Sequence, residues 1–231
     1  MEGVTTITFF KFRKNKRWAL AQMGLAPRKL KQKEGLRFFK LMGTGGGNGF
    51  SLWPDFGTYA FLGVWDNQES ADDFLNHNSL MQTYYQKSSS IRTLKMLPVK
   101  SHGLWSGQNP FTEQKPTTID SELPVAVITR ATLRPSRLIA FWKSVPSASA
   151  AIENTTGVQY FKGIGEWPFV QQATLSLWDS FEAVKKFAYR DQTHANIIKK
   201  TRSQQWYSED LFARFHVLSD TGFIKPNSLR K

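Results

Sequence analysis

The chain contains no cysteine. That one absence excludes disulfide staples, iron–sulfur clusters, thiolate-ligated haem and thiol nucleophiles together. Histidine is scarce as well: the four are His77, His102, His194 and His216. None falls in an HxH, HxxxH or HExxH spacing, so a multi-histidine metal centre has no local ligand set. No apolar run approaches the roughly 20 residues that span a bilayer. The opening MEGVTTITFFKF lacks the basic region and cleavage pattern of a secretory signal, so a cytoplasmic protein is expected. Acidic residues are also in short supply, 18 against 31 Lys and Arg, for a net charge of +13. Such an excess favours an anionic partner, either nucleic acid or the surface of an anionic membrane.

What the sequence does have is an internal echo. GLRFFKLMG (35–43) and GVQYFKGIG (157–165) are nearly the same segment, and VWDNQESADDF (64–74) matches LWDSFEAVKKF (177–187). Upstream, ITFFKFR (7–13) lines up with ITRATLR (128–134). Three matches in one order indicate a duplicated unit of roughly one hundred residues, and differences between the copies are where function is sought.

Each copy reads strand, helix, strand, strand, helix, strand. In the first, strands are expected at 4–12, 35–43, 58–65 and 92–103, with helices at about 15–33 and 67–87. In the second, VAVITRATL, VQYFKGIG, QQATLSLW and LFARFHVL are the strands, and 135–152 and 180–205 the helices. That order is the ferredoxin-like unit. The expected architecture is α+β: two tandem ferredoxin-like repeats fused into a single domain resembling a dimeric α+β barrel. The boundaries read as 1–107 for the N-terminal half, 108–122 for a polar, proline-containing linker, and 123–231 for the C-terminal half.

The copies differ most between their second and third strands, where the first is longer by nine residues around GTGGGNGFSLWPDFG (43–57). No Gly-Lys-Ser/Thr follows, so this is not a Walker A loop, and it does not fit GxGxxG. It reads as a long hairpin whose glycines supply positive φ. Gly45, Gly46, Gly47 and Trp53, present in one copy only, are candidates for gating a substrate.

His194 is likewise specific to one copy. It lies beside the apolar face of HANIIKKTRSQQW, where a histidine is either an ordinary core residue or the proximal ligand of a haem. His77 falls at a polar helix end, His102 in a loop, and His216 on a strand beside Arg214. Basic clusters at 11–17 and 27–33 flank WALAQMGLA, a pattern that suits a helix lying near lipid headgroups or a solvated helix face.

MGLAPRKL, FFKLMGTGGGNGF, GLWSGQNPF, RATLRPSRLIAFW, FKGIGE and THANIIKKTRSQQWYSEDLFARFHVL recur in order from about Phe9 to Phe223. Together they resemble the spheroidene monooxygenase family, which comprises acyclic carotenoid 2-ketolases and 2-hydroxylases. The glycine loop departs from that family's more mixed glycine pattern. The resemblance implies a b-type haem, an oxygen-dependent monooxygenase reaction near the end of an acyclic carotenoid, and an external electron donor. It maps the family's histidine, arginine and tryptophan onto His194, Arg202 and Trp206, with His194 as the metal ligand. It also implies peripheral association with the inner membrane. A non-catalytic haem or small-ligand binding protein would keep the same pocket. RNA binding is a further reading invited by the charge, but no RNP1 segment is present, and barrel closure would consume the sheet faces; no nucleic-acid partner is expected.

Overall fold

The structure, a computed structural model, describes residues 3–47, 51, 53–112, 123–190, 201 and 203–222. The first four strands are β1 (Val4–Lys11), β2 (Leu36–Gly45), β3 (Pro54–Trp65) and β4 (Ser90–Gly103). Helix α1 (Lys16–Leu30) joins β1 to β2, and α2 (Gln68–His77) with α3 (Ser79–Lys87) joins β3 to β4. The last four strands are β5 (Val125–Leu133), β6 (Val158–Trp167), β7 (Gln171–Trp178) and β8 (Tyr207–Gly222). A 3-10 turn at Pro135–Arg137 leads into α4 (Leu138–Glu153), and α5 (Phe181–Arg190) follows β7.

The strands close into one antiparallel barrel in the order β1-β3-β2-β6-β7-β5-β8-β4. Closure leaves no sheet edge free to pair with another chain. The two seams differ greatly. β4 and β8 pair along their length, from Arg92↔Gly222 to Gly103↔Leu211, whereas β2 and β6 pair only at Gly43↔Gly165 and Thr44↔Ile164.

Alternation along the strands sends one set of side chains inward. Ile7, Phe9, Met42, Leu62, Met96, Ile128, Leu175 and Phe215 belong to one continuous buried cluster. Among the described residues, the barrel interior is therefore packed core. The sheets' inner faces are spent on that core, which leaves no open strand platform of the kind RNA-binding domains use.

One end of the barrel is closed by residues 103–112, part of which reads as linker by its polarity. Gly103 turns the chain at φ 89°, and its Cβ position would lie 2.2 Å from the Asp210 carbonyl oxygen, so only glycine fits. Trp105 then enters the core, edge-on to Phe38 at 5.8 Å, and its indole donates to Glu166 Oε1 at 2.6 Å. Lys40 donates to the other oxygen of Glu166, tying the first four strands to the last four. Phe111 is buried against Phe215 at 5.0 Å.

The observed elements extend two expectations and split a third. β3 begins at Pro54 and β8 runs from Tyr207 to Gly222, because the strands beside them continue the ladder. The single helix expected over 67–87 breaks at Asn78, whose side chain accepts hydrogen bonds from the backbone N–H of Leu80 and Met81 and starts α3. His102 lies on β4, stacked on Phe212 at 5.2 Å, not in a loop.

Glu209 caps the barrel plug electrostatically. It accepts from the N–H of Ser106 and Gly107 and pairs with Arg130, whose side chain is almost wholly buried. Burial alone would raise the Glu209 pKa, but those two N–H groups and the guanidinium outweigh it, and the carboxyl is held below its usual range. A depressed carboxylate stabilises the fold above the unfolded-state pKa and loses that contribution as pH falls through the folded value. Glu209→Gln is expected to cost about 3 kcal/mol at neutral pH, because it strands a buried guanidinium. In urea unfolding the gap between variant and wild type should narrow as pH drops below the carboxylate range; a gap independent of pH would contradict the ion pair.

Candidate functional site

The pairing register allows the two sets of four strands to be compared position by position. Val4 faces Trp65 in the first set, and Val125 faces Trp178 in the second. Each tryptophan carries a phenylalanine from the next helix, Phe74 at 4.9 Å and Phe187 at 5.2 Å. Each indole N–H is taken by a hydroxyl of its own sheet, Thr6 and Ser176, both at 2.9 Å. Gly35 and Gly157 share a positive φ, and their carbonyls accept from Asp66 and Asp179 at 2.9 Å in both places.

Beyond these matched positions the outer faces differ. The first presents Phe10, Leu41, Tyr59 and Phe61 toward its helices, and the register places Ala131, Gly163, Gln172 and Thr174 at the same positions in the second. In the first set the aromatics fill the layer. Phe10 meets Tyr84 at 4.8 Å, Trp18 meets Tyr84 at 5.0 Å, and Phe61 meets Phe74 at 5.5 Å. Thr8, beneath them, is 0% exposed. The matching Thr129 is exposed.

The second layer is accordingly split. One apolar cluster gathers Val125, Val127, Trp178, Val184 and Phe187; another gathers Leu133, Phe141, Val145 and Trp206. Between them lies a floor of small residues, and the Oγ1 of Thr174 is buried there with no hydrogen-bond partner among the described residues. A buried hydroxyl without a partner is costly in a finished core; the Tyr59 hydroxyl of the first layer is likewise buried without one among the described residues, so this feature is shared by both layers. Arg214, half-buried on the same sheet face, stacks on Phe181 at 3.7 Å, and burial lowers its pKa. It has no carboxylate partner among the described residues.

Of the residues singled out in the sequence, His194 and Arg202 lie outside the described residues. Trp206 is fully buried at the α4 end of the gap, edge-on to Phe141 at 6.3 Å, with its indole donating to Gln204 at 2.9 Å. Gly45, Gly46 and Gly47 begin the β2–β3 hairpin. The Gly46 N–H donates to the Trp53 carbonyl at 2.8 Å, Gly47 has φ 71°, and Trp53 is 76% exposed. Lys162, buried on β6, holds the hairpin by donating to the Gly47 carbonyl at 2.7 Å. Burial lowers the Lys162 pKa, an effect that the charge of Asp55 partly offsets.

The hairpin leans over the second layer. Ser51 and Pro54 share a cavity of about 60 Å³ with Trp142, Gly165, Phe169 and Gln172, and Gln172 is one of the substituted positions. On the other side of the seam a larger groove, about 550 Å³, runs between α1 and β2 past Met23, Leu41 and Trp167. Thr129, Ala131, Gly163 and Thr174 were not recognisable as site residues from motif or spacing. The pairing of ITFFKFR with ITRATLR already sets Phe10 against Ala131, but only the barrel reveals that this position faces the helices.

Among the described residues, the closed α+β barrel has one helix layer filled with aromatic rings and one whose matched positions carry small residues. Solved structures with this fold include an aldoxime dehydratase crystallised with butyraldoxime, at TM-score 0.58 and 10% identity over 93% of this chain and 79% of that one. A second aldoxime dehydratase structure gives TM-score 0.55 at 9% identity over 93% of this chain and 80% of that one. At these identities the likeness concerns the fold alone. No protein-family model matches the chain.

Curated relatives are more specific. The spheroidene monooxygenase of Rhodobacter capsulatus is 30% identical over 205 residues, 89% of this chain and 85% of the relative. That of Rubrivivax gelatinosus is 35% identical over 191 residues, 83% of this chain and 72% of the relative. The chain belongs to the spheroidene monooxygenase family and is an oxygen-dependent monooxygenase.

If the second layer is hollow, refilling it should not harm the fold. Ala131→Phe combined with Thr174→Phe copies the outer face of the first sheet, and a stability gain of about 0.5–2 kcal/mol is expected, as for other cavity-filling changes. Urea unfolding measures it. A loss of several kcal/mol, the signature of overpacking, would mean that the layer is already full.

Proposed function

We propose that this protein is a haem-dependent monooxygenase that oxidises C-2 of an acyclic carotenoid, with the second helix layer, where small residues stand in place of rings, as the cofactor site. The observation that carries this reading is the replacement of Phe10, Leu41 and Phe61 by Ala131, Gly163 and Thr174 on otherwise matched sheets. A haem, when bound, supplies the oxygen-activating chemistry that no side chain provides. By family resemblance His194 is its iron ligand, Arg202 pairs with a propionate, and Trp206 forms a wall. Trp206 stands at one end of the gap, in keeping with that role.

The chain's own residues would hold the plane of the cofactor between two apolar clusters, exclude water, and offer the hydroxyls of Thr129 and Thr174 at the floor. Insertion of one oxygen atom converts a C–H bond to an alcohol; the second atom of O2 leaves as water with two electrons and two protons. Those electrons come from an external donor, since the sequence carries no flavin or nicotinamide fingerprint. A second insertion at the same carbon gives a geminal diol, which loses water to become the ketone. The barrel itself is read as two fused ferredoxin-like halves, a reading supported by the shared orders β4-β1-β3-β2 and β8-β5-β7-β6.

Reconstituted wild type should show a Soret band. His194→Ala should abolish or shift it, Arg202→Ala should weaken haem retention, and the double phenylalanine variant should lose haem while staying folded. In a host accumulating spheroidene, pigment mass should rise by one oxygen per insertion. Haem uptake without any pigment change, given an adequate reductant, would leave a haem-binding protein and end the enzymatic reading.

The same function calls for contact with lipid, where carotenoids reside. No helix among the described residues is long and apolar enough to cross a membrane. On α1, Leu20 and Leu25 are exposed beside the exposed cations Arg13, Lys14, Lys16 and Arg17, an arrangement that suits reversible docking on an anionic bilayer. Neutralising those four cations should reduce sedimentation with anionic vesicles several-fold, at roughly 1 kcal/mol per charge near the surface. Added salt should do the same, and undiminished binding would rule this segment out.

A further inference from the structure

We infer that the β2–β6 seam is a threading site for a long, flat, conjugated hydrocarbon chain, with Gly43 as its floor and Trp142 and Phe169 as its wall. The inference deepens the proposed function and rests on its carotenoid substrate.

The seam is held by two residue pairs, and at one of them glycine faces glycine, Gly43 opposite Gly165. Their neighbours Met42 and Ile164 point into the barrel core, so both glycines lie on the outward side of their strands. The two have different reasons to be glycine. A Cβ on Gly165 would lie 2.7 Å from the Gln171 carbonyl oxygen, so the backbone leaves no room for one. Among the described residues, a Cβ on Gly43 would meet nothing closer than the Gly165 carbonyl oxygen at 4.0 Å, and Gly43 is not among the residues with positive φ. Among the described residues, neither sterics nor conformation requires glycine at position 43. What its lack of a side chain preserves is open space.

That space is the cavity of about 60 Å³ under the hairpin. It is too small for a compact ligand and suits the cross-section of a chain passing lengthwise. Its wall is built with some strain. Phe169 has φ 68°, unfavourable for a large side chain by roughly 1–2 kcal/mol. Its carbonyl accepts from the Trp142 indole at 3.1 Å, and the two rings meet nearly perpendicular at 6.1 Å. Backbone strain that the surroundings maintain is characteristic of functional positions. Two fixed aromatic rings present polarizable surface to a conjugated chain. Gln172 lines this cavity and lies two residues from Thr174 on β7, so the cavity borders the second layer. A polyene whose end reaches Thr174 would run back across β6 and leave over Gly43, a span of about 10 Å at the usual strand spacing. Only a long substrate would reach the seam.

Gly43→Leu tests this without straining the backbone, with Gly43→Ala as the milder variant. Three readouts are taken on the haem-reconstituted full chain: the Soret band, binding of spheroidene by quenching of tryptophan fluorescence, and turnover. Turnover is measured on spheroidene and on a shortened polyene that carries the same end group. Gly43→Leu should keep the wild-type Soret band and melting temperature. Its kcat/KM for spheroidene should fall at least about tenfold, mainly through KM, while the short polyene is barely affected. Gly43→Ala should fall in between. Wild-type turnover of spheroidene by Gly43→Leu overturns the threading site and leaves the proposed function standing. Wild-type binding without turnover, lost in Gly43→Leu, does the reverse. Equal losses on both polyenes would place Gly43 in general folding or cofactor retention and also overturn the inference.

Discussion

Everything in this molecule depends on the burial of two sheet faces against each other. Each set of four strands has an inner face too apolar to leave in water, and closing the barrel removes both faces from solvent at once. Because Ile7, Leu62, Ile128, Leu175 and their neighbours fill the enclosed volume, the barrel is a solid support and not a vessel. The two layers where helices lie on sheets are then the places to look for ligand space. One of them is packed with aromatic rings.

The contrast between the two layers lies in what fills them. A helix layer closed by Phe10, Tyr59, Phe61 and Tyr84 gains stability from each buried ring, at about 25 cal/mol per Å² of apolar surface. Small residues at the matched places forgo that gain, which is tolerable only if the filled layer and the shared core carry the fold. The first set of strands thus gains stability from rings that the second set does without. The short β2–β6 seam follows the same division. Long pairing of β4 with β8 secures the barrel, so the other seam can be reduced to two residue pairs around glycine.

Charge is distributed by the same logic. Several of the few carboxylates are drawn into pairs between neighbouring strands: Glu166 with Lys40, Glu209 with Arg130, and Asp220 with Arg92. Arg92 also lies over the ring of Tyr160 at 4.5 Å. Burial first, aided by Asp220 and opposed by Arg92, pushes the Tyr160 hydroxyl up to about 12, so it stays protonated at any physiological pH. With acids engaged near the barrel ends, exposed α1 is left with lysines and arginines and no acidic residue, which is what an anionic surface would meet.

The amino-acid sequence by itself determined the duplicated order of strands and helices. Val125–Leu133 and Gln171–Trp178 fold as strands over the residues that their β-branched and apolar pattern marks, because alternation and turn residues act locally. It also determined the family, through stretches that recur in order along the chain. Helix breaks were less legible, since Asn78 acts as a cap through a side-chain bond that composition does not announce. The candidate site was the least legible part. Ala131, Gly163, Thr174 and Gly43 are small residues with no chemical signature, and they matter for what they leave open. Which face of a strand meets a helix, and which matched position carries a ring in the other sheet, depends on register and barrel closure. Those are long-range pairings, and only the tertiary structure decided them.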